Sequence, residues 1–344
     1  MRTRFISARS AAIAASAVAL LTSGGATAEE LTVYTAVEAE DLGKYAERFN
    51  EAHPDIEIRW VRDSTGIVTA KLLAEKDNPQ ADVVWGLAAT SLMLLKNDGM
   101  LEAYALEGVD KLDPRFVDDA DPPSWTGMDA WVAAICYNTV EGEAKGIPMP
   151  ASWQDLLKPE YRGAIAMPNP NSSGTGFLTV SSWIQLMGGD EAWAYMDQLH
   201  DNVSHYTHSG SKPCKQAAAG EVPLGISFAF RAAKLKEQGA PVEVVLPEEG
   251  VGWDMEATAI VKGTDNLEAA KTLADWAVTP DANRMYNEGY AVIAIPDLAQ
   301  PVQHFPPDIQ DKMIDNDFDW AAANRERILA EWEKRYGSKS EAES

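Results

Sequence analysis

The chain has 344 residues, and its 53 acidic residues against 29 basic ones give a formal net charge of −24 at pH 7. A field of this sign repels phosphate backbones and anionic lipid headgroups, so we expect no nucleic-acid partner and no attraction to a membrane surface. The length exceeds what a single hydrophobic core usually supports, which predicts two lobes.

Residues 1–28 have the pattern of a secretory signal peptide. A basic start with three arginines is followed by an apolar run over 11–21 and by the small-x-small site Ala26-Thr27-Ala28. The apolar run is too short to span a bilayer, and no cysteine stands at its end for lipid attachment. The sequence therefore predicts export to the periplasm and cleavage after about Ala28, rather than a buried N-terminal helix.

Strand and helix patterns alternate regularly over the first part of the mature chain. In chain order they predict strand 31–35, helix 41–52, strand 56–61, helix 64–76, strand 81–85 and helix 90–96. Such alternation is typical of an α/β sheet with parallel strands. Ligands bind beyond the carboxyl ends of such strands, and these ends carry Glu38, Ser64-Thr65 and the segment 86–90.

The pattern changes at 131–137, a nearly continuous apolar strand with no helix directly before it. We expect this strand to cross from one lobe to the other. The elements predicted after it are helix 153–157, strand 164–167, helices 177–187, 191–200 and 213–219, strand 224–228, helix 231–238, strands 242–246 and 256–261, and helices 267–278 and 320–336. Strand 256–261 would return the chain to the first lobe.

These elements predict an α/β fold of two lobes that are joined by hinge strands and close over a cleft. The predicted boundaries are 1–28 for the signal peptide, 29–130 for the first part of lobe 1, 131–255 for lobe 2, 256–298 for the return to lobe 1, 299–336 for C-terminal helices packing on lobe 2, and 337–344 for a flexible tail.

Cysteine and histidine residues give little sign of catalytic or metal chemistry. Cys136 and Cys214 are too few for a disulfide scaffold, and the sequence leaves open whether they are bonded or are two buried thiols. The spacing of His200, His205 and His208 suits neither a helical pair nor one face of a strand. Glycine fingerprints for nucleotides and a nucleophile elbow are also missing, so we expect no metal, no cofactor and no enzymatic activity.

Hydroxyl-rich loops precede helices at three places and could hold an anion. The N–H groups at a helix start carry partial positive charge, and glycines beside them allow close approach of a ligand. An ordinary capped turn is the alternative interpretation of each loop. The candidate residues are Ser64 and Thr65, then Ser172, Ser173, Gly174 and Thr175, and finally Ser209 and Ser211.

A ligand with a cationic end would need carboxylates and aromatic faces. Glu38 follows the first strand, and Asp254 alternates with Glu256 on a predicted strand, so the last two share a face. Trp85 and Trp253 could supply ring faces to an ammonium group. In so acidic a chain these carboxylates could equally be solvated surface charges, and Trp85 could be a core residue.

Several segments together carry a family resemblance that extends over nearly all of the mature chain. It rests on 31–36, 60–66, 81–86, 167–170, 172–177, 206–215 and 252–258. The chain resembles extracellular solute-binding proteins of ABC importers, and within them the periplasmic 2-aminoethylphosphonate-binding proteins. The same superfamily includes ferric-ion binders with a tandem tyrosine pair, where this sequence reads Ser227-Phe228-Ala229-Phe230. That departure argues against iron.

The resemblance implies a type II periplasmic binding protein fold, an inner-membrane ABC permease as partner, and a monomer. It implies 2-aminoethylphosphonate as ligand, with its phosphonate on the hydroxyl-rich loops and its ammonium group towards the carboxylates. Ser227 and the 209–211 loop would line the wall of lobe 2. Alternatives that stay open are another small phosphorus compound, a polyamine-like solute, a ferric ion, or an exported enzyme acting on phosphonates or phosphate esters.

Overall fold

The computed structural model describes residues 28–342. The predicted signal peptide lies outside these residues apart from Ala28, and so do the last two residues of the predicted tail. The first elements are β1 (Glu29–Thr35), α1 (Ala39–Ala52), β2 (Ile56–Arg62), α2 (Thr65–Ala74), β3 (Val83–Ala88) and α3 (Ala89–Asn97). They alternate as predicted, with bounds shifted by a few residues.

A long strand then leads into the second series of elements. These are β4 (Thr126–Asn138), α4 (Thr139–Lys145), β5 (Ile165–Pro168), α5 (Gly174–Met187), α6 (Gly189–Asn202), β6 (Val203–Thr207), α7 (Lys212–Ala218), β7 (Leu224–Phe228), α8 (Ala229–Glu237) and β8 (Val242–Val245). The last elements are β9 (Trp253–Ile260), α9 (Leu267–Ala277), α10 (Pro280–Tyr286), β10 (Val292–Ile293), α11 (Ile309–Lys312) and α12 (Phe318–Tyr336). The segment predicted as helix 153–157 is a 3₁₀ turn over Gln154–Leu157.

All ten of these strands belong to one curled sheet, in the order β2-β1-β3-β9-β4-β7-β5-β6, with β8 and β10 also pairing with β4. The β1–β2, β1–β3, β5–β6 and β5–β7 pairs are parallel. Strand β9 is antiparallel to both β3 and β4. The predicted α/β fold class is confirmed by this sheet and the helices around it.

Strand β4 joins the two lobes. Its first half pairs with β9 and β10, whereas its second half pairs with β7 and β8. All thirteen of its residues are buried, because a central strand with partner strands on both edges and helices packed against it is covered on both faces. This burial explains the continuous apolar run that the sequence showed over 131–137.

Cys136 and Cys214 form a disulfide that joins β4 to α7. Both residues are fully buried and lie in a small cluster with Ala166, Ala217 and Val222. The sequence left this pairing open because the residues are 78 positions apart. The bond ties the start of α7, next to the 209–211 loop, to the strand that connects the lobes.

The C-terminal region differs from the prediction in two ways. Helix α12 lies against α3 of lobe 1 as well as α5 of lobe 2, so it does not pack on lobe 2 alone. The described part of the predicted flexible tail is held against β6, because Ser340 forms a parallel bridge with Tyr206 and the Glu341 N–H donates to the Tyr206 carbonyl at 2.9 Å. Charge and polarity alone suggested disorder there, but backbone hydrogen bonds to an edge strand provide order.

Candidate functional site

A cavity lies between the two lobes, at the carboxyl ends of β1, β2 and β3 and facing the start of α5. Its volume, measured as the space open to the centre of a water molecule, is about 50 Å³. The predicted residues that line it are Glu38, Ser64, Thr65, Ser173, Gly174, Thr175, Ser209 and Ser211. Further lining residues are Ala36, Arg62, Gly86, Ala88, Trp131, Gly210, Phe228, Glu256 and Tyr290.

The start of α5 forms one end of the cavity. Ser173 caps the helix, and its Oγ accepts a hydrogen bond from the Gly176 N–H at 3.2 Å. Gly174 and Thr175 lie in the first turn, where backbone N–H groups have no partner within the helix. The helix therefore begins three residues earlier than predicted, and this places N–H groups and the Thr175 hydroxyl at the cavity.

Loop 209–211 packs tightly on this helix start. A Cβ added to Gly210 would lie 2.6 Å from Thr175 Oγ1 and 2.9 Å from Ser173 Oγ, so only glycine fits there. The hydroxyls of Ser209 and Ser211 are 3.3 Å apart. Together these groups make one wall rich in hydroxyls, a surface suited to the oxygens of an anion.

The two lobes touch at this end of the cavity. The Gly66 N–H of lobe 1 donates to the Ser172 carbonyl of lobe 2 at 2.8 Å. A Cβ added to Gly174 would lie 2.6 Å from Thr65 Oγ1 and 2.9 Å from Thr65 Cβ. The lobes are therefore closed over the cavity, with hydroxyl-bearing helix starts from both sides facing each other.

Glu256 and Tyr290 bring a different chemistry to the cavity. The Tyr290 hydroxyl donates to Glu256 Oε1 at 3.1 Å. Burial raises the pKa of Glu256 to about 8. The Tyr290 hydrogen bond and the charge of Arg62 lower this pKa, whereas the Asp41 and Glu38 carboxylates raise it further. The rings of Trp131 and Phe228 also line the cavity. A cationic group placed here would meet aromatic faces and a carboxyl group that it helps to ionise.

Glu38 lines the cavity but already has ionic partners from lobe 2. Its Oε2 lies 2.9 Å from Arg231 and 3.8 Å from Lys215. Arg231 also donates a hydrogen bond to Glu40 at 2.7 Å. Burial alone would raise the pKa of Glu40, but the hydrogen bond to Arg231 and the positive charge of Arg231 lower this pKa to about 2. Glu38 therefore takes part in holding the lobes together.

Two predicted serines lie behind the cavity wall. Ser172 Oγ donates to the His208 carbonyl at 2.7 Å, and Ser227 Oγ donates to the Gly210 carbonyl at 2.6 Å. Neither residue is among those that line the cavity. Their hydroxyls are occupied by backbone carbonyls of the 208–211 loop, so they support this loop from behind.

The two predicted tryptophans are core residues and lie away from the cavity. Trp85 is fully buried and packs on Tyr45 with ring centroids 5.1 Å apart. The Trp253 indole N–H donates to the Ile314 carbonyl at 2.9 Å, and its ring packs on Phe318. In their place Trp131, on β4, presents its ring to the cavity.

Asp254 also lies outside the cavity lining. The Thr90 hydroxyl donates to its Oδ2 at 2.6 Å. Burial raises its pKa to about 6, against the Thr90 hydrogen bond, the backbone hydrogen bonds and the charge of Arg325. Glu256, two positions further along β9, lines the cavity instead, whereas Asp254 is held by Thr90 of α3 and interacts with the charge of Arg325 on α12.

Sequence reasoning missed Arg62, Trp131, Glu256 and Tyr290 as lining residues. Arg62 ends β2 directly before the Ser64 loop, and Glu256 shares a strand face with Asp254, so both carried a usable signal. Trp131 and Tyr290 carried none, since each comes from a segment far along the chain from the loops.

Among residues 28–342 no group of three or more His, Cys, Asp or Glu side chains could hold a metal ion. Every helix in that range is too short or too polar to cross a bilayer.

A family model for bacterial extracellular solute-binding proteins matches residues 78–321. The chain belongs to this family. An uncharacterised protein of Haemophilus influenzae is 30% identical over 325 residues, which cover 92% of this chain and 93% of that protein. A probable ABC transporter periplasmic-binding protein of Sinorhizobium fredii is 25% identical over 305 residues, covering 87% and 83%.

Among solved structures, AfuA of Actinobacillus pleuropneumoniae with exogenous fructose 6-phosphate bound is similar to this solute-binding protein. Its TM-score is 0.83 at 31% identity, and the match covers 90% of this chain and 99% of AfuA. The family model and the Sinorhizobium fredii relative both describe solute-binding proteins. The chain is therefore the substrate-binding component of an ABC transporter.

Proposed function

We propose that this solute-binding protein captures 2-aminoethylphosphonate in the interlobe cavity and delivers it to an inner-membrane ABC permease. One observation carries the proposal. One interlobe cavity is lined both by helix-start N–H groups with hydroxyls and by a carboxyl group with aromatic rings. A small ligand with an anionic and a cationic end matches both linings at once.

The phosphonate would lie against the start of α5 and the 209–211 loop. Thr65, Ser173, Thr175 and Ser211 would donate hydroxyl hydrogen bonds to its oxygens. Arg62 adds a full positive charge to the lining, so the anion would not depend on neutral groups alone. A dianion buried without such partners would lose far more hydration energy than it gains.

The ammonium group would lie by Glu256 and Tyr290, with Trp131 alongside. Glu256 is the better acceptor of the two lining carboxyl groups, since Glu38 is already paired with Arg231. An ammonium beside Glu256 would favour its ionised form, and the resulting ion pair would be shielded from water. A ligand that lacks one of its two charged ends would leave the matching part of the cavity lining without a partner.

Titration calorimetry with 2-aminoethylphosphonate, ethylphosphonate, inorganic phosphate, fructose 6-phosphate and putrescine tests the proposal. We expect 2-aminoethylphosphonate to bind best, ethylphosphonate to bind at least tenfold more weakly, roughly one charged hydrogen bond, and putrescine to fail. Equal affinity for ethylphosphonate would remove the ammonium half of the proposal. Failure of every phosphorus compound would remove the anion half.

A sugar phosphate is the second candidate, favoured by the similarity to AfuA. Carboxylates also accept hydrogen bonds from sugar hydroxyls. Tighter binding of fructose 6-phosphate than of 2-aminoethylphosphonate would favour the sugar phosphate as ligand.

Phosphorus NMR of the ligand during prolonged incubation with the protein distinguishes binding from an enzymatic reaction, and an unchanged spectrum is the expected result. We further propose a periplasmic location, cleavage after about Ala28 and a monomeric protein.

A further inference from the structure

The end of the chain lies beside both loops that build the hydroxyl-rich wall. After α12 the backbone makes a 3₁₀ turn over Gly337–Lys339 and then runs next to the edge strand β6. The Lys339 ammonium donates to the carbonyls of His200 and Val203, which anchors the turn. The next two residues, Ser340 and Glu341, make the contacts of interest.

Glu341 binds the loop that contains Ser209 and Ser211. Its Oε1 accepts a hydrogen bond from the His208 N–H at 2.5 Å, and its Oε2 pairs with the Lys212 ammonium. Burial alone would raise the pKa of Glu341, but the His208 hydrogen bond and Lys212 hold it below its usual value. The Glu341 carboxylate thus binds the chain on both sides of the 209–211 loop, at His208 before it and at Lys212 after it.

Ser340 binds the other loop. The Asn169 side-chain amide donates to Ser340 Oγ at 3.0 Å, while Asn169 Oδ1 accepts from the Asn171 N–H at 2.8 Å. The Asn169 carbonyl in turn accepts from the N–H of Ser173, the cap of α5, at 2.9 Å. The tail therefore reaches the helix start through a single intermediate residue.

The same contacts extend across the cleft. The His208 carbonyl accepts the Ser172 hydroxyl, and the His208 ring lies 3.4 Å from Asp63 Oδ1. That oxygen also accepts the Ser64 N–H at 2.6 Å. His208, held from behind by Glu341, is thus placed between the loops of the two lobes.

We infer that Ser340 and Glu341 are positioning residues that set the geometry of the hydroxyl-rich wall and thereby raise its affinity for the anionic end of the ligand. The inference rests on the proposed function in taking this cavity as the ligand site. It assigns a task to a segment that the sequence alone predicts to be a flexible tail. The tail touches the loops from outside, so its loss should disorder them without opening the core.

The test compares Glu341→Gln, Glu341→Asp, Ser340→Ala and a chain ending at Gly337 with the unchanged protein. Glu326→Gln, an exposed carboxylate on α12, and a chain ending at Ala342 serve as controls. Hydrogen exchange of amides 172–175 and 208–211 is measured without ligand. Affinities for 2-aminoethylphosphonate, ethylphosphonate, inorganic phosphate and fructose 6-phosphate are measured by calorimetry.

We expect faster exchange in both loops for Glu341→Gln and the shortened chain, with a melting temperature close to that of the unchanged protein. Affinity should fall about tenfold, the value of one charge-assisted hydrogen bond, and equally for every phosphorus probe that binds. Glu341→Asp should recover part of the loss.

Unchanged loop exchange in Glu341→Gln and in the shortened chain would overturn the inference, whether or not any probe binds. Unchanged affinity for a probe that the unchanged protein binds would also overturn it and leave the proposed function standing. If the unchanged protein binds none of the probes, the proposed function fails, and the exchange measurement alone decides the role of the tail.

Discussion

The guanidinium of Arg231 on α8 lies 2.9 Å from Glu38, the carboxylate that follows β1 in the other lobe. Only 2% of the Arg231 side chain is exposed, and the same group hydrogen-bonds Glu40. This ion pair spans the cleft beside the cavity. Because the pair joins the two lobes, we expect its free energy to stabilise closure rather than the fold of either lobe.

Arg231→Gln should therefore weaken ligand binding while each lobe stays folded. Breaking a buried ion pair costs about 3 kcal/mol, and the partial exposure of Glu40 reduces this, so we expect affinity to fall about tenfold or more. Calorimetry and small-angle scattering of the ligand-bound protein provide the measurements. Lys236→Gln is the matched control, because its partner Glu243 lies in the same lobe; similar losses in both variants would contradict the role of Arg231 in closure.

Gly174→Ala should also oppose closure, in this case by steric overlap. The added methyl group would lie 2.6 Å from Thr65 Oγ1 and 2.9 Å from Thr65 Cβ, in the opposite lobe. Overpacking of this kind costs about 1–3 kcal/mol, so affinity should fall by about five- to 150-fold. Gly43→Ala, where a Cβ meets nothing within 4 Å, is the control. Unchanged affinity in Gly174→Ala would mean that ligand binds without this contact.

The raised pKa of Glu256 predicts a pH-dependent stability. Its pKa is about 8 in the folded chain against 4.5 in the unfolded chain, so the folded state binds the extra proton between these values. Stability should then fall as pH rises through this window, by at most about 1.4 kcal/mol per pH unit for one proton. In thermal melts from pH 5 to pH 8, the melting temperature of Glu256→Gln should rise relative to that of the unchanged protein as pH rises. Parallel plots of melting temperature against pH for the two proteins would refute the raised pKa.

The same carboxyl group predicts proton release on ligand binding. An ammonium beside Glu256 favours the carboxylate, so binding of 2-aminoethylphosphonate near pH 7 should release a proton and tighten as pH rises from 6 to 8. Calorimetry in two buffers of different ionisation enthalpy counts the protons. Ethylphosphonate, which has no amine, should release fewer, and equal release by both ligands would place the amine away from Glu256.

Reduction of the Cys136–Cys214 disulfide should destabilise the protein. The bond closes a loop with a sequence separation of 78 residues, and the chain-entropy model gives about 4 kcal/mol for a loop of that length. We expect the melting temperature to fall in the presence of dithiothreitol. The double variant Cys136→Ala, Cys214→Ala should melt low in both conditions, and a response of this variant to dithiothreitol would point to an unrelated effect of the reductant.

Much of the fold could be predicted because its signals are local. The period of apolar residues indicated β1 to β3 and α1 to α3, and the nearly continuous apolar run indicated the strand that crosses between the lobes, β4. The helix start at Ser173 was recognisable from its hydroxyls and glycines, since capping involves residues three positions apart. Elements such as α10, β10 and the held tail were missed, because their order comes from partners distant in the chain.

The sequence by itself determined the alternation of strands and helices, the hydroxyl-rich helix starts and the acidic character of the chain, since these depend on neighbours within a few residues. Only the tertiary structure decided which polar groups face the ligand cavity. Glu256 lines it, Asp254 instead accepts a hydrogen bond from Thr90 of α3, and Glu38 pairs with Arg231 across the cleft. The physical reason is that a buried carboxyl group is directed by the partners that compensate its lost hydration, and those partners come from other parts of the chain.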